Sequence, residues 1–398
     1  MVSRLVKILY FADIRFPLER ANGIQTMETC HALAGRGHEV HLVVRPDTHA
    51  PPRDPFDYYG LAKSARLIMD RVPVSGPHLV RRVEYLAFAL GRATGAGRAD
   101  VVMTRDLAVA SLLLRLPARP PLVYESHGYA PEVAAALPDL VSTARAPSAA
   151  KFARLARRES YVWRHADGYV TITNGLASAH NARFGGRARV AVVPDGARLV
   201  TPGTRSPRPA GPFTVAYAGH LYAWKGVDVL LDAVARVPDV RCVIVGGQEK
   251  EPDLARLRTL TSRLGIESRV TFEGLVPPSA VPNALVRADV LALPNPASAI
   301  STHSTSPLKL FEYMAAGKPI VASNLPAIRE VLTDERNALL VTPGDPEALA
   351  AGIRRLAGDP ALRGRLADAA RQVVAEYSWD RRAERLEALF TEVLASRR

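Results

Sequence analysis

The strongest constraint on the fold is an alternation of short apolar runs and helical patterns, which extends through most of the 398 residues. In the first half the apolar runs include KILYFAD (7–13), HEVHLVV (38–44) and GYVTITN (168–174). Near-continuous apolar runs separated by helices are typical of parallel strands that are covered on both faces. The first half is therefore predicted to form a doubly wound α/β domain.

The alternation stops at residues 197–212, where Pro, Gly, Thr and Arg dominate, and then restarts with FTVAYAG (213–219) and DVLALP (289–294). A stretch of this composition is typical of a linker. The sequence thus predicts two domains, at residues 1–200 and 201–376. A C-terminal helix at residues 377–398 is predicted to pack back on the first domain.

Composition narrows the class of protein. The two cysteines, Cys30 and Cys242, are too few for a disulfide framework and fit core packing, and no Cys/His cluster suggests a structural zinc site. The first residues, MVSRLVKILYFADIRF, lack the pattern of a signal peptide, and no run approaches the roughly 20 apolar residues of a membrane span. We expect a soluble, cytoplasmic protein, and peripheral association with the inner face of the cytoplasmic membrane is the alternative that stays open.

The formal net charge of +13 has several explanations. Nucleic acid, an anionic membrane surface and anionic small molecules are all attracted to basic proteins, and an Arg-rich composition alone also gives such a charge. No zinc-finger, RRM-type or KH-type motif is present, and few aromatic residues lie among the basic ones. We therefore expect no nucleic-acid partner.

The stretch SPLKLFEYMAAGKPIVAS (306–323) predicts a helix that follows a strand. Ser306 is a good N-cap and Pro307 suits the first turn. Lys309 lies close to the positive end of the helix dipole, a conflict that a bound phosphate removes. Glu312, three residues on, is able to accept hydrogen bonds from a ribose diol. The alternative is an ordinary ion pair between Lys309 and Glu312 on a solvated helix.

A second stretch, AYAGHLYAWKGV (216–227), carries Gly219 and His220 at the end of a strand and Lys225 at the start of a helix. Glycine allows a ligand to approach the backbone, and a lysine at such a turn is a point charge for phosphate. The alternative is a common Lys-Gly turn and a solvated histidine.

These stretches, together with YSWDRRAERLEALF near the end of the chain, resemble the retaining nucleotide-sugar glycosyltransferases of family 4 (group 1). The resemblance covers essentially the whole chain. It implies the GT-B fold, in which two Rossmann-like doubly wound parallel-sheet domains face each other across a cleft. The N-terminal domain is then expected to bind the acceptor, and the C-terminal domain the nucleotide-sugar donor.

The resemblance also implies roles for single residues. Lys225 matches a lysine that neutralises the donor diphosphate, and Glu312 matches the second glutamate of an E-x7-E signature that binds the ribose hydroxyls. His220 stands where the family usually has an arginine. Gly23, in the loop before the first helix, matches a glycine that lets the backbone approach the diphosphate, and His127 matches a histidine that contacts the sugar.

One position departs from the family pattern. The first glutamate of E-x7-E falls at Ser304, and Thr305-Ser306-Pro307 replaces the usual glycine-rich turn. Ser306, the Leu308 N–H and Lys309 are the expected substitutes. The candidate catalytic residues are Lys225, His127 and Lys309. The candidate donor-binding residues are Gly23, Gly219, His220, Lys225, Gly247, Val276, Ser306, Leu308, Lys309 and Glu312.

The expected activity is transfer of a sugar from a nucleotide-diphosphate-sugar to an acceptor hydroxyl, with retention, in cell-envelope polysaccharide or glycolipid synthesis. No cofactor or metal is expected, because lysines are available for the leaving diphosphate and no D-x-D follows a strand. Arg15, Tyr58 and Arg154 are the candidate acceptor-binding residues, for a sugar or lipid-linked acceptor near an anionic membrane surface. A GT-B-fold sugar-nucleotide epimerase and a catalytically weak nucleotide-sugar binding module remain as alternatives.

Overall fold

The computed structural model describes residues 5–95, 98–140, 145–199, 211–249, 251–298, 301–302 and 306–397. The chain divides into two compact units, each built around its own parallel sheet. Unit 1 comprises Met1–Glu132, Pro147–Pro194 and Trp379–Arg398, and unit 2 comprises Val133–Ala146 and Asp195–Ser378.

The sheet of unit 1 has seven strands in the order β3-β2-β1-β4-β5-β6-β7, and every neighbouring pair is parallel. The strand order reverses between β1 and β4, as it does in doubly wound sheets. The strands are β1 (Lys7–Arg15), β2 (Glu39–Arg45), β3 (Leu67–Arg71), β4 (Val101–Thr104), β5 (Leu122–Ser126), β6 (Gly168–Thr171) and β7 (Val190–Val192).

Helices cover both faces of this sheet. Alternate residues of β1 belong to two different apolar clusters, with Ile8 and Tyr10 in one and Leu9 and Phe11 in the other. The helices of the first part of the chain are α1 (Ala21–Gly35), α2 (Pro55–Tyr59), α3 (His78–Thr94), α4 (Leu107–Leu113), α5 (Ala130–Leu140), α6 (Ala149–His165) and α7 (Asn174–Phe184). Side chains of α3, α4 and α6 share one cluster, and those of α1 belong to the other.

The C-terminal helix α15 (Trp379–Ala395) completes the cluster on the α1 face of unit 1. Leu386 and Phe390 are buried there with Met27 of α1. At the edge of the contact, the guanidinium of Arg36 donates hydrogen bonds of 2.7 and 2.8 Å to the carboxylate of Glu387. Burial of large apolar side chains on this scale stabilises the helix by several kcal/mol, roughly 1.5–3 kcal/mol for each fully buried side chain.

The sheet of unit 2 has six strands in the order β10-β9-β8-β11-β12-β13, again parallel throughout. The order reverses between β8 and β11. The strands are β8 (Phe213–Ala218), β9 (Val240–Val245), β10 (Val270–Gly274), β11 (Val290–Leu293), β12 (Ile320–Ser323) and β13 (Leu339–Val341).

Two apolar clusters also enclose this second sheet. Val215 and Tyr217 of β8 lie in one, and Ala216 and Ala218 lie in the other. The helices are α8 (Val227–Ala235), α9 (Pro252–Arg263), α10 (Val281–Leu285), α11 (Leu308–Ala315), α12 (Pro326–Arg329), α13 (Pro346–Gly358) and α14 (Pro360–Val374). Within the described ranges, no helix combines the length and the hydropathy needed to cross a bilayer.

The predicted fold class, two Rossmann-like doubly wound domains, is confirmed. Strand β3 escaped prediction because it lies at the sheet edge, where only Leu67 of LIMDR is buried and the apolar pattern is weak. The N-cap prediction was wrong by one residue. Pro307 occupies the N-cap of α11, and the hydroxyl of Ser306 instead accepts a 3.0 Å hydrogen bond from the N–H of Asp195.

Candidate functional site

The candidate site of unit 2 lies where the strand order reverses, beyond the carboxyl ends of β8 and β11. Doubly wound proteins bind ligands at such a point because the loops on its two sides diverge. The loop after β8 contains Gly219, His220 and a single 3₁₀ turn, Ala223–Lys225. The segment after β11 leads to α11, which carries Lys309.

Lys309 is buried in this site, with only 7% of the residue exposed. Its ammonium donates a 2.6 Å hydrogen bond to the hydroxyl of Tyr217 and lies 3.8 Å from the centroid of that ring. Burial and the nearby charge of Lys225 hold the pKa of Lys309 well below its usual range, although Glu312 opposes them. The alternative of a solvated surface ion pair is therefore wrong for Lys309.

Lys225 supplies the second ammonium of the site. Its Nζ lies 3.5 Å from the centroid of the Trp224 ring, and burial lowers the pKa of Lys225 to about 7. The turn that carries it is packed tightly against the segment after β11. Gly226 has a φ of +75°, and a Cβ at this position would lie 1.9 Å from the carbonyl oxygen of Pro294. Glycine is thus required beside Lys225 on both conformational and steric grounds.

Gly219 leaves the backbone open next to Lys309. It has a φ of +142°, and a Cβ there would lie 3.2 Å from the Nζ of Lys309. The ring of His220 stacks on Tyr222, with 5.3 Å between centroids and 13° between planes. The hydroxyl of Tyr217 donates a 2.6 Å hydrogen bond to the carbonyl of His220. Tyr217 therefore connects Lys309 to the loop after β8.

The other predicted donor-binding residues lie in different environments. Leu308 is buried at the start of α11, and Glu312 is partly exposed one turn further on. Gly247 has a φ of +84°, and a Cβ there would lie 2.3 Å from Leu221. Val276 packs at the edge of the apolar cluster that contains α11. Ser304 lies outside the described residues.

This arrangement is suited to binding an anion. The charge of Lys225 is close enough to disfavour the charge of Lys309, and removing the two ammonium groups from water costs free energy unless a negative group compensates. A diphosphate provides that compensation. In the described part of the chain, no group of three or more His, Cys, Asp or Glu side chains is arranged to hold a metal ion.

Unit 1 contains a buried polar network at the carboxyl end of β5. Both carboxylate oxygens of Glu125 accept 2.7 Å hydrogen bonds from the guanidinium of Arg382, which belongs to α15. The side-chain amide of Gln25 and the Nε2 of His127 also donate to Glu125, the latter at 2.7 Å. His127 is thus held at one ring nitrogen, with 22% of its side chain exposed.

The structure corrects the expected surroundings of Gly23. The residue lies in the first turn of α1, not in the loop before it. A Cβ at this position would lie 2.4 Å from the carbonyl oxygen of Leu18 and 2.6 Å from the hydroxyl of Tyr59. Local packing alone therefore requires glycine here, whether or not a ligand approaches.

The three predicted acceptor-binding residues are not brought together. The guanidinium of Arg15 hydrogen-bonds the carboxylate of Glu19, and Tyr58 lies under the guanidinium of Arg53 at 4.7 Å. Arg53 also donates a 2.8 Å hydrogen bond to Glu19, so Arg15 and Tyr58 belong to one charged network. Arg154 lies elsewhere, exposed on α6.

Sequence reasoning missed several residues of these two sites, among them Tyr217, Glu125 and Arg382. One signal was available for Arg382. It lies three residues after Trp379 and four before Leu386, on the apolar face of a helix, where an arginine needs a buried partner. The sequence does not name that partner, because Glu125 lies 257 positions away.

Two family models match the chain. The model described as "Glycosyl transferase 4-like domain" matches residues 23–196, and the model described as "Glycosyl transferases group 1" matches residues 212–359. The first therefore covers most of unit 1, and the second covers the residues of the Lys225/Lys309 site.

Curated relatives match over part of their length. A D-inositol 3-phosphate glycosyltransferase from Corynebacterium urealyticum is 32% identical over 51% of this chain and 51% of its own length. The lipopolysaccharide core biosynthesis glycosyltransferase LpsD from Rhizobium meliloti is 37% identical over 40% of this chain and 43% of its own. The chain thus spans about half the length of the curated relatives it matches.

Solved structures share the fold over nearly the whole chain. A sucrose-phosphate synthase from Thermosynechococcus elongatus has a TM-score of 0.78, and Anabaena HepE in complex with UDP-glucose has one of 0.73. Each is 20% identical, covering 98% of this chain and 100% of the other. With matching models over both parts of the chain and the same fold throughout, this protein combines a glycosyltransferase 4-like domain with a group 1 glycosyltransferase domain.

Proposed function

We propose that the protein transfers a sugar from a nucleotide-diphosphate-sugar to an acceptor hydroxyl, with retention of the anomeric configuration. The observation that carries this proposal is a pair of ammonium groups at the point of strand reversal in unit 2, that of Lys309, which is buried, and that of Lys225, which is partly exposed. In sugar transfer, negative charge builds on the departing diphosphate. Two preorganised cations in a partly dry site stabilise that charge.

The pair fits a diphosphate better than a single carboxylate or phosphate. Burial lowers the pKa of both lysines, which means that the charged form of each side chain is less stable than in water when no ligand is bound. A diphosphate carries enough negative charge for both. Glu312 lies one turn along α11 from Lys309, in a position suited to the ribose hydroxyls, and Gly219 leaves the backbone accessible to the ligand.

We expect the leaving group to need no divalent metal, since the two lysines supply positive charge of the kind that a metal supplies in other transferases. His127 is proposed to hydrogen-bond a hydroxyl of the transferred sugar. The structure of HepE with UDP-glucose supports a nucleotide sugar as the donor class.

The acceptor is proposed to be a sugar or lipid-linked molecule of cell-envelope polysaccharide or glycolipid synthesis. LpsD is named for lipopolysaccharide core biosynthesis. On α3, Leu79, Val80 and Val83 are 74%, 46% and 59% exposed, an unusual exposure for apolar side chains that lie close together on one helix. Exposed apolar residues beside arginines are suited to an anionic membrane surface.

The test is a donor and acceptor screen on the purified chain. Nucleoside diphosphates and their sugars are first ranked by thermal stabilisation, with and without EDTA, since binding to the native state raises its stability. The selected donor is then incubated with candidate acceptors, and the anomeric configuration of the product is read by NMR. We expect transfer that persists in EDTA.

A matched pair of variants links the activity to the site. Lys309→Met is expected to abolish donor binding, whereas Arg241→Met, which removes an exposed cation of the same unit on β9, is expected to leave donor binding unchanged. An epimerised donor formed without acceptor, or binding with neither transfer nor slow donor hydrolysis, would replace the transferase proposal by an epimerase or a binding module.

A further inference from the structure

We propose that Glu125 and Arg382 are positioning residues, which hold the imidazole of His127 in a single tautomer with its proton on Nε2 and its lone pair on Nδ1. The inference deepens the proposed function, because it states how His127 meets a sugar hydroxyl. It rests on the polar network at the carboxyl end of β5. Of the residues in this network, the sequence alone indicates a role only for His127.

Glu125 is ionised at neutral pH. The residue is fully buried, and burial alone would raise the pKa of its carboxyl group. Arg382 and His127 act in the opposite direction, and together with Arg105 they hold the pKa of Glu125 well below its usual range. Glu125 is therefore a carboxylate at every physiological pH. An ionised carboxylate accepts hydrogen bonds and donates none.

The ionised carboxylate of Glu125 determines the tautomer of His127. Its Nε2 lies 2.7 Å from Oε1 of Glu125, so this nitrogen must carry the proton and donate it. Burial and the charge of Arg105 lower the pKa of His127 to about 4, against the opposing effect of Glu125, and the ring is neutral near pH 7. A neutral imidazole with its proton on Nε2 has its lone pair on Nδ1.

Arg382 holds the carboxylate of Glu125 in place. Arg382 itself is anchored at three further points, donating to the hydroxyl of Thr29 at 2.9 Å and to the carbonyls of Val193 and Pro194 at 2.8 and 2.9 Å. The guanidinium therefore cannot rotate away from Glu125 without breaking several buried hydrogen bonds. A helix from the C-terminal end of the chain thus fixes a group at the end of β5.

Gln25 is oriented by the same network. Arg105 donates a 2.8 Å hydrogen bond to the Oε1 of Gln25, which leaves the amide nitrogen to donate to Glu125. Every partner of Glu125 is consequently a donor. The network has one consistent pattern of protons, and that pattern presents His127 as a hydrogen-bond acceptor toward its ligand rather than as an acid at neutral pH.

The direct test is the tautomer of His127 in the full chain. Protein labelled with ¹⁵N-histidine is examined by long-range ¹H–¹⁵N NMR between pH 5 and 8, and the His127 signals are identified by their loss in His127→Gln. We expect the Nε2–H form across this range, because the pKa of His127 lies at about 4. An Nδ1–H form or an even mixture in the unmodified protein would overturn the proposal.

Glu125→Gln tests the cause. We expect a measurable fraction of the Nδ1–H form, since the amide is able to donate as well as accept. In a transfer assay we expect kcat to fall about tenfold, with a smaller change in the donor KM, as for the loss of a positioning contact. An unchanged tautomer with unchanged kcat would overturn the proposal. If Glu125→Gln does not fold, Arg382→Lys, which keeps the charge but loses the fixed fork, is measured in its place.

The matched control is Glu159→Gln. Glu159 is a second fully buried carboxylate of unit 1, it accepts a 2.9 Å hydrogen bond from Tyr169, and it lies 3.6 Å from His180. Its replacement is expected to lower the melting temperature without altering the His127 signals or kcat. Failure of the transferase proposal is recognised separately, because the NMR spectra report on His127 whether or not the protein turns over a sugar donor.

Discussion

The ammonium of Lys309 donates to the hydroxyl of Tyr217, and that hydroxyl in turn donates to the carbonyl of His220. Both hydrogen bonds are 2.6 Å long and buried or partly buried. The hydroxyl oxygen of Tyr217 therefore contacts both the ammonium of Lys309 and the loop after β8, and it helps to fix the position of each. The site for an anion in unit 2 depends on this tyrosine as much as on the lysine.

Tyr217→Phe tests that dependence. The ring remains, but Lys309 loses its acceptor and the His220 carbonyl loses its donor. We expect the free energy of unfolding to fall by about 1–3 kcal/mol, the usual effect of leaving a buried polar group without a partner. We also expect weaker binding of the selected nucleoside diphosphate. Urea denaturation and calorimetric titration measure the two effects, and unchanged values for both would show that the tyrosine is only a packing residue.

The second prediction concerns pH. Burial lowers the pKa of Lys225 to about 7, and a bound diphosphate favours the charged form, so the pKa is higher in the complex. Diphosphate affinity is therefore expected to be greatest below pH 7 and to fall as pH rises from 7 to 9. Binding near pH 8 should take up protons. Calorimetry in two buffers that differ in ionisation enthalpy detects that uptake, and equal apparent enthalpies would contradict the prediction.

The same lysine lowers the stability of the free protein. Because the folded-state pKa lies below the unfolded value of 10.5, the unfolded chain binds more protons between about pH 7 and 10.5, and stability should rise with pH across that window. Lys225→Met is expected to stabilise the ligand-free protein at pH 7, on the order of 1–2 kcal/mol after allowance for solvent screening, while diphosphate binding is lost. Denaturant unfolding at pH 7 and pH 9.5 measures both the gain and its pH dependence.

The fourth prediction separates packing from ligand binding at Gly23. In Gly23→Ala the new Cβ would meet Leu18 and Tyr59 within 2.7 Å, so we expect a loss of about 1–3 kcal/mol even without ligand. Gly91→Ala is the control, because this glycine lies inside α3 with nothing within 4 Å of the added Cβ. That substitution should be neutral or stabilising by about 0.5–1 kcal/mol. Equal effects of the two substitutions would contradict the steric reading.

The fold class follows from the sequence because its determinants are local. Buried parallel strands need apolar residues on both faces, and runs such as KILYFAD show this within seven letters. Edge strand β3 has no such apolar run, because much of it is exposed to solvent and polar side chains are tolerated there. The same reasoning explains why Lys309 was noticed: a cation at the start of a helix conflicts with local electrostatics.

The partners of the site residues could not be predicted, because they depend on long-range packing. Tyr217 lies 92 positions from Lys309, and Glu125 lies 257 positions from Arg382. Tyr217 reads in the sequence as an ordinary strand residue. Its role depends on the contact between α11 and β8, and a single sequence does not reveal which elements come into contact.

The last prediction concerns the exposed apolar residues of α3. Positive charge comes from Arg81 and Arg82 on the same helix, although Arg82 is paired with Asp13 and Asp106, and from Arg154, which is exposed on α6. Such a surface combines apolar area for insertion with positive charge for an anionic headgroup layer. We expect the chain to sediment with vesicles that contain anionic phospholipid and not with neutral vesicles. High salt should weaken this binding.

The double variant Leu79→Ser/Val83→Ser removes most of the exposed apolar area of α3 and should weaken vesicle binding by more than about tenfold, since each buried CH₂ contributes about 0.8 kcal/mol. Leu275→Ser is the control, because Leu275 is also exposed, at 39%, but lies in unit 2 after β10. If both variants bind anionic vesicles as the unmodified chain does, α3 is not the membrane contact. Binding to neutral vesicles, or no salt dependence, would instead remove the charge-based part of the argument, because the arginines near α3 would then contribute nothing to the affinity.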